Sequence, residues 1–197
     1  MFLSLNLAII MKQVNEVNTD LQFSDEVNQC REIFLKKTKD YGTSWRVYRT
    51  ISIADQIYIK AKRIRNIQEK GTQMIDDDIK GEFKGIVNYA VIGLIQLDLL
   101  HEDPQNDCDD ELPFEETIKR YDEKIALAKN LMLNKNHDYG EAWRGMSQES
   151  FADLILAKIL RIKQIIQNEG KTLISEGIDA NFYDILNYAV FALILSD

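Results

Sequence analysis

Proline and glycine are scarce in this sequence, with 2 and 9 residues in a chain of 197. An all-β protein turns about every ten residues and needs more of both, so that class is excluded and a helical chain remains. Cysteine is equally rare. Cys30 and Cys108 are the only two, and no C-x-x-C occurs. A disulfide framework is therefore excluded, and reduced thiols in the cytoplasm are the expectation. Positive charge is in deficit: 24 Lys and Arg stand against 32 Asp and Glu, a formal charge of −8. A duplex-binding protein neutralises phosphates and should be basic, so generic nucleic-acid binding is not expected. Long apolar runs are missing as well. Residues 1–10 are apolar but short, without a positive n-region or a small-residue cleavage site, and they read as an extension upstream of Met11 or a frayed tail. The apolar stretch 185–195 is too short to cross a bilayer, so no membrane partner is expected.

What is present is 45% hydrophobic and 28% charged residues, the mixture of a globular chain long enough to bury a core, and a repeat. Asp40-Tyr41-Gly42 recurs as Asp138-Tyr139-Gly140, an offset of 98. Trp45-Arg46 recurs as Trp143-Arg144, Ser52, Ala54 and Asp55 as Ser150, Ala152 and Asp153, and Lys60, Arg63 and Ile64 as Lys158, Arg161 and Ile162. After one inserted residue, Asn88-Tyr89-Ala90-Val91 recurs as Asn187-Tyr188-Ala189-Val190. Recurrence of several motifs in order is the mark of a duplication. The chain divides into a tail at 1–19, a first repeat at 20–100, an acidic linker at 101–113 and a second repeat at 114–197. The linker holds both prolines and six acids with no Lys or Arg, so much of the net charge belongs to it, and a solvated spacer is expected.

Each repeat reads as three helices, about 24–39, 53–70 and 77–99 in the first and 115–136, 151–169 and 177–196 in the second. Val27, Cys30, Ile33 and Phe34 fall at helical spacing, and Ser24 followed by Asp25 and Glu26 is a helix-start signal. Gly42 and Gly140 stand where helix C-cap glycines would. The expected fold is all-α, a tandem duplication of a three-helix unit packed as a pseudo-twofold bundle. It is a pseudo-dimer within one chain, and further association into a homodimer is left open.

Four groups of residues invite chemistry, each with a structural reading beside the functional one. Tyr41, Trp45 and Arg46, with Tyr139, Trp143 and Arg144, either fill gaps between helices or stack on a base with Arg near phosphate. Asp55 and Asp153 follow Ser52 and Ser150 by three, either as capping boxes or as carboxylates aimed at Mg²⁺, which prefers hard oxygen ligands. Lys60 with Arg63, and Lys158 with Arg161, share a helix face and either pair with carboxylates or hold phosphates. Asn88 and Asn187 interrupt apolar helices and must have hydrogen-bond partners. One turn before them the copies differ. The first reads Glu82-x-x-Gly85 and the second Asn181-x-x-Asp184, which is either drift or specialisation, with Glu82 and Asp184 brought to one composite site.

The double Asp-Tyr-Gly-x-x-Trp, the Lys-x-x-Arg-Ile helix and the Asn-Tyr-Ala helix resemble a bacterial family of tandem-repeat proteins, nucleotide modification associated domain 1, over residues 20–197. More distantly the chain is similar to the MazG-like all-α nucleoside triphosphate pyrophosphohydrolases, whose E-x-x-E and E-x-x-D helices bind Mg²⁺. That resemblance implies a Mg²⁺-dependent hydrolase of nucleotides or deoxynucleotides, modified ones included. Glu82 and Asp184 would be the catalytic carboxylates and, with Asp55 and Asp153, the metal ligands. Lys60, Arg63, Lys158, Arg161, Asn88 and Asn187 would join the aromatic and Arg residues in binding the nucleotide. Each acidic element is incomplete here, and the alternatives are a non-catalytic nucleotide-binding module or a helical interaction scaffold.

Overall fold

The computed structural model describes residues 2–72, 78–103, 110–172, 174 and 176–196, with side chains from residue 19 onward. Among the described residues there are six α-helices and no strand: α1 (Phe2–Tyr41), α2 (Thr50–Lys70), α3 (Ile79–Glu102), α4 (Phe114–Tyr139), α5 (Gln148–Gln167) and α6 (Ile178–Ile194). Short 3-10 turns, Ser44–Val47 and Ala142–Gly145, link the first and second helix of each repeat. The expected all-α duplication is what forms.

α3 and α6 make the most extensive contact and sit at the centre, α2 and α5 pack on them and on each other, and α1 and α4 close the other side. The two central helices carry many of the fully buried apolar residues, among them Phe83, Ile86 and Ile95 on one and Phe182, Ile185 and Leu186 on the other. Each such side chain contributes about 1.5–3 kcal/mol by leaving water. The helices of the central pair approach closely because Gly93 faces Phe182, and a Cβ at Gly93 would lie 2.7 Å from the ring. α2 and α5 run antiparallel: Asp55 meets Lys163 at 2.6 Å, and Arg65 meets Asp153 at 3.4 Å. These are one interaction written twice, because Arg65 and Lys163 are equivalent positions of the repeat.

Several expectations are corrected. α1 begins at Phe2, so Ser24 is not a helix start; it lies within α1 and its hydroxyl donates to the Asp20 carbonyl at 2.8 Å. Ser52 and Ser150 do not cap. α2 and α5 start at Thr50 and Gln148, and the neighbouring carboxylates Asp55 and Asp153 are used in the ion pairs above. The predicted start of the third helix at Asp77 lies outside the described residues; Asp78 is its N-cap, accepting from the Gly81 amide at 2.6 Å. α3 is long and apolar enough to cross a membrane by composition, contrary to the expectation that no run is, but 67% of that stretch is buried inside the protein. The linker is also less free than expected. Arg120 holds Glu102 on its near side with two bonds of 2.9 Å, and on its far side the Leu112 amide donates to Thr43 and the Asp110 carbonyl accepts from Arg46.

The two C-cap glycines form as expected. Gly42 and Gly140 adopt φ of +62° and +61°, the left-handed region that glycine enters without cost, and their amides close onto Thr38 and Asn136 at 2.9 Å. Each turn swings the following Trp back against its own repeat.

Candidate functional site

The helix end, the glycine turn and the Trp of each repeat frame a cavity. The first is about 320 Å³ and the second about 300 Å³. They are the same cavity made twice. Lys37, Tyr41, Trp45, Gly85, Asn88 and Tyr89 line the first, and their equivalents Lys135, Tyr139, Trp143, Asp184, Asn187 and Tyr188 line the second.

In the second cavity the Trp donor and the carboxylate both have partners within the repeat. Trp143 Nε1 donates to Asn136 Oδ1 at 3.1 Å, and the indole stacks on Phe191 with ring centroids 4.2 Å apart. Asp184 is buried and held by two ammonium groups, Lys135 at 2.6 Å and Lys158. Burial disfavours the charged form of Lys135, but the hydrogen bond and charge of Asp184 outweigh it and raise the Lys135 pKa. Burial likewise raises the Tyr188 phenol, with Asp184 adding to it.

The first cavity lacks these internal partners. Thr38 replaces Asn136 and turns its hydroxyl to the Phe34 carbonyl, Ile92 replaces Phe191, and Gly85 replaces Asp184. Trp45 is 7% exposed, and its Nε1 has no hydrogen-bond partner among the described residues. Lys37 is exposed, with no carboxylate partner among them. Lys60 and Lys84 line the same space, and no Asp or Glu is among its described lining residues. Tyr41, Tyr48 and Tyr89 supply aromatic surface. Burial raises the Tyr89 phenol, with Tyr48 and Tyr41 adding to it, so it stays a neutral hydrogen-bonding group at physiological pH.

The remaining sequence candidates divide sharply. Glu82 takes Lys60 at 3.0 Å and Arg63 as well. It and Asp184 do not share a site; each closes an ion cluster in its own repeat. In the second repeat Asn181 replaces Glu82, and Arg161 is exposed beside it in a separate groove, with no ion pair among the described residues. Neither Arg of the Trp-Arg motif is among the described lining residues of these two cavities. Arg46 is buried on Gln96 and the Asp110 carbonyl, while Arg144 lies over the Trp143 ring and bonds Glu141, Thr19 and Gln22. Asn88 donates to the Cys30 carbonyl at 3.0 Å and accepts from Tyr121 at 2.8 Å. Asn187 donates to the Ala128 carbonyl, but its Oδ1 has no partner among the described residues, and the residue equivalent to Tyr121 is Phe23, which has no hydroxyl. Both asparagines therefore tie the helices together at the cavity floor.

The four carboxylates expected to hold Mg²⁺ do not converge. Asp55 and Asp153 lie in the α2–α5 ion pairs, Glu82 and Asp184 in separate clusters, and among the described residues no three His, Cys, Asp or Glu side chains come together. The residues present do not fit the expected metal centre. Sequence reading missed Lys37, whose recurrence as Lys135 three residues before each Asp-Tyr-Gly was the available signal, and Tyr48, which has no counterpart to flag it.

An all-α bundle of two equivalent halves, each with an aromatic cavity floored by an Asn of a central helix, is the class that this geometry defines. The chain belongs to the family described as nucleotide modification associated domain 1, which matches twice, at residues 37–97 and 135–195, more than half of the sequence. Both matches span the cavity from its helix end to its floor. No curated protein and no solved structure matches the chain.

Proposed function

We propose that the protein binds a nucleotide, modified forms included, in the cavity of the first repeat. The observation that carries this reading is the buried Trp45 donor, without a partner among the described residues, beside a cavity whose described lining holds tyrosines and lysines and no carboxylate. A buried unpaired donor costs about 1–3 kcal/mol, and a ligand acceptor removes that cost. A planar base suits the walls, since base–aromatic stacking contributes about 1–3 kcal/mol per base. Lysines on the same cavity suit a phosphate, which they attract as point charges. The family's description associates the domain with nucleotide modification.

Titration calorimetry of the purified chain against common and modified mononucleotides, di- and triphosphates included, tests this. Saturable binding of one nucleotide per chain is expected, and silence across the panel overturns the reading. The same mixtures with Mg²⁺ or Mn²⁺, read by mass spectrometry, decide between a binding module and the pyrophosphohydrolase implied by the distant resemblance. Monophosphate and pyrophosphate would establish hydrolysis despite the scattered carboxylates, and unchanged nucleotide would leave a binding module.

A further inference from the structure

Among the equivalent pairs at which the two cavities differ, Gly85 and Asp184 bear on where an anion would sit. In the second repeat the Asp184 carboxylate sits between Lys135 and Lys158. The equivalent lysines of the first repeat, Lys37 and Lys60, line the first cavity, but the residue between them is Gly85, which has no side chain. The end of the Lys60 side chain lies over Gly85, its Cε 2.8 Å and its Nζ 3.1 Å from the point that a Cβ on Gly85 would occupy.

We propose that the first cavity holds the phosphate of its ligand over Gly85, in the place that the Asp184 carboxylate fills in the second, so that one cavity takes a ligand anion and the other is lined by its own. The inference rests on the nucleotide reading above and adds the position of the phosphate and the stoichiometry to it. Two further observations agree. The first cavity has a third cation, Lys84, where the second has Tyr183. A phosphate carries close to two charges and three acceptor oxygens, against one charge and two oxygens for a carboxylate, and so has use for the extra ammonium. Lys60 already bonds Glu82 at 3.0 Å, and Lys84 bonds Gln29 at 2.7 Å, but an ammonium has three donors and each retains capacity for an anion. Trp45, whose buried Nε1 has no partner among the described residues, lines the same cavity.

The test compares wild type with Gly85→Asp and Lys37→Gln by titration calorimetry, using a nucleoside monophosphate that wild type binds, the matching nucleoside and inorganic phosphate. Wild type is expected to bind one monophosphate per chain and to bind the nucleoside more weakly by about tenfold or more. Gly85→Asp, which gives the first repeat the carboxylate of the second, is expected to abolish monophosphate binding. Lys37→Gln, a change at an exposed position, is expected to weaken it about tenfold with the thermal midpoint unchanged, which keeps the test valid if Gly85→Asp fails to fold. Equal affinity for nucleoside and monophosphate, or wild-type affinity in a folded Gly85→Asp variant, overturns the phosphate position while leaving the nucleotide reading intact. If no nucleotide binds but inorganic phosphate does, and Gly85→Asp removes it, the nucleotide reading falls and the anion site stands. If neither binds, both fall.

Discussion

Trp45 and Trp143 stand at the same position of the two repeats, yet the Trp143 indole donates to Asn136 at 3.1 Å while the Trp45 indole has no partner among the described residues. The duplication has kept the ring and changed its surroundings. The cavity with the unpartnered donor is also the one without an internal carboxylate, so two independent exchanges, Asn136 for Thr38 and Asp184 for Gly85, separate the same two halves.

Substituting each Trp by Phe exposes this difference. Both variants lose similar ring volume, but Trp143→Phe also strands the Asn136 amide oxygen, whereas Trp45→Phe removes a donor that was already unpaired. Trp143→Phe is expected to be the more destabilising by roughly 1–3 kcal/mol in denaturant unfolding. Trp45→Phe is expected instead to lower nucleotide affinity, by about tenfold. Equal losses of stability would refute the hydrogen-bond distinction.

Asp55 and Asp153 tie the α2 and α5 helices to each other. Their pairs with Lys163 and Arg65 are partly exposed, 50% and 60% on the carboxylate side chains, and water screens them. Asp55→Asn is expected to change unfolding free energy by less than about 1 kcal/mol, with a coupling energy to Lys163→Gln of the same size in a double-mutant cycle. Nucleotide affinity should not change. A loss of divalent-cation-dependent binding or turnover in Asp55→Asn would restore the metal-ligand reading.

Alkaline pH should unfold the protein partly through Cys30. Burial pushes this thiol from its ordinary value up to about 12, with Lys84 opposing the shift and Glu26 adding to it. The unfolded thiol loses its proton near pH 9.0, while the folded one keeps it until about 12. The contribution is therefore fully present below pH 9.0 and is lost as pH rises through that window. Lys135, whose pKa is also raised, adds a loss of the same sign. Cys30→Ala installs the residue found at the equivalent position, Ala128. It should flatten the decline of unfolding free energy with pH relative to wild type, measured by denaturant titration from neutral pH upward, and parallel curves would show that the thiol is not responsible.

Much of the architecture is legible in the chain itself. Helical periodicity, the scarcity of turn residues and the recurrence of whole motifs depend only on composition and local spacing, and they specify a duplicated all-α bundle. Gly42 and Gly140 mark their turns because a left-handed backbone needs glycine whatever surrounds it. The exchange of Gly85 for Asp184 is visible once the repeats are aligned. Partners are a different matter. Ser52 and Asp55 satisfy the spacing of a capping box, but the helix starts earlier and Lys163, from the other repeat, takes the carboxylate. Arg46 looks available to a phosphate until Gln96 and the linker carbonyl claim it. Residue types and periodicity set which groups are charged, aromatic or apolar, because these are properties of the side chains alone. Which partner each charged group takes, Lys163 for Asp55 and Gln96 for Arg46, was decided only when helices far apart in sequence packed together, because hydrogen bonds and ion pairs act over a few ångströms and their partners are chosen by the tertiary fold.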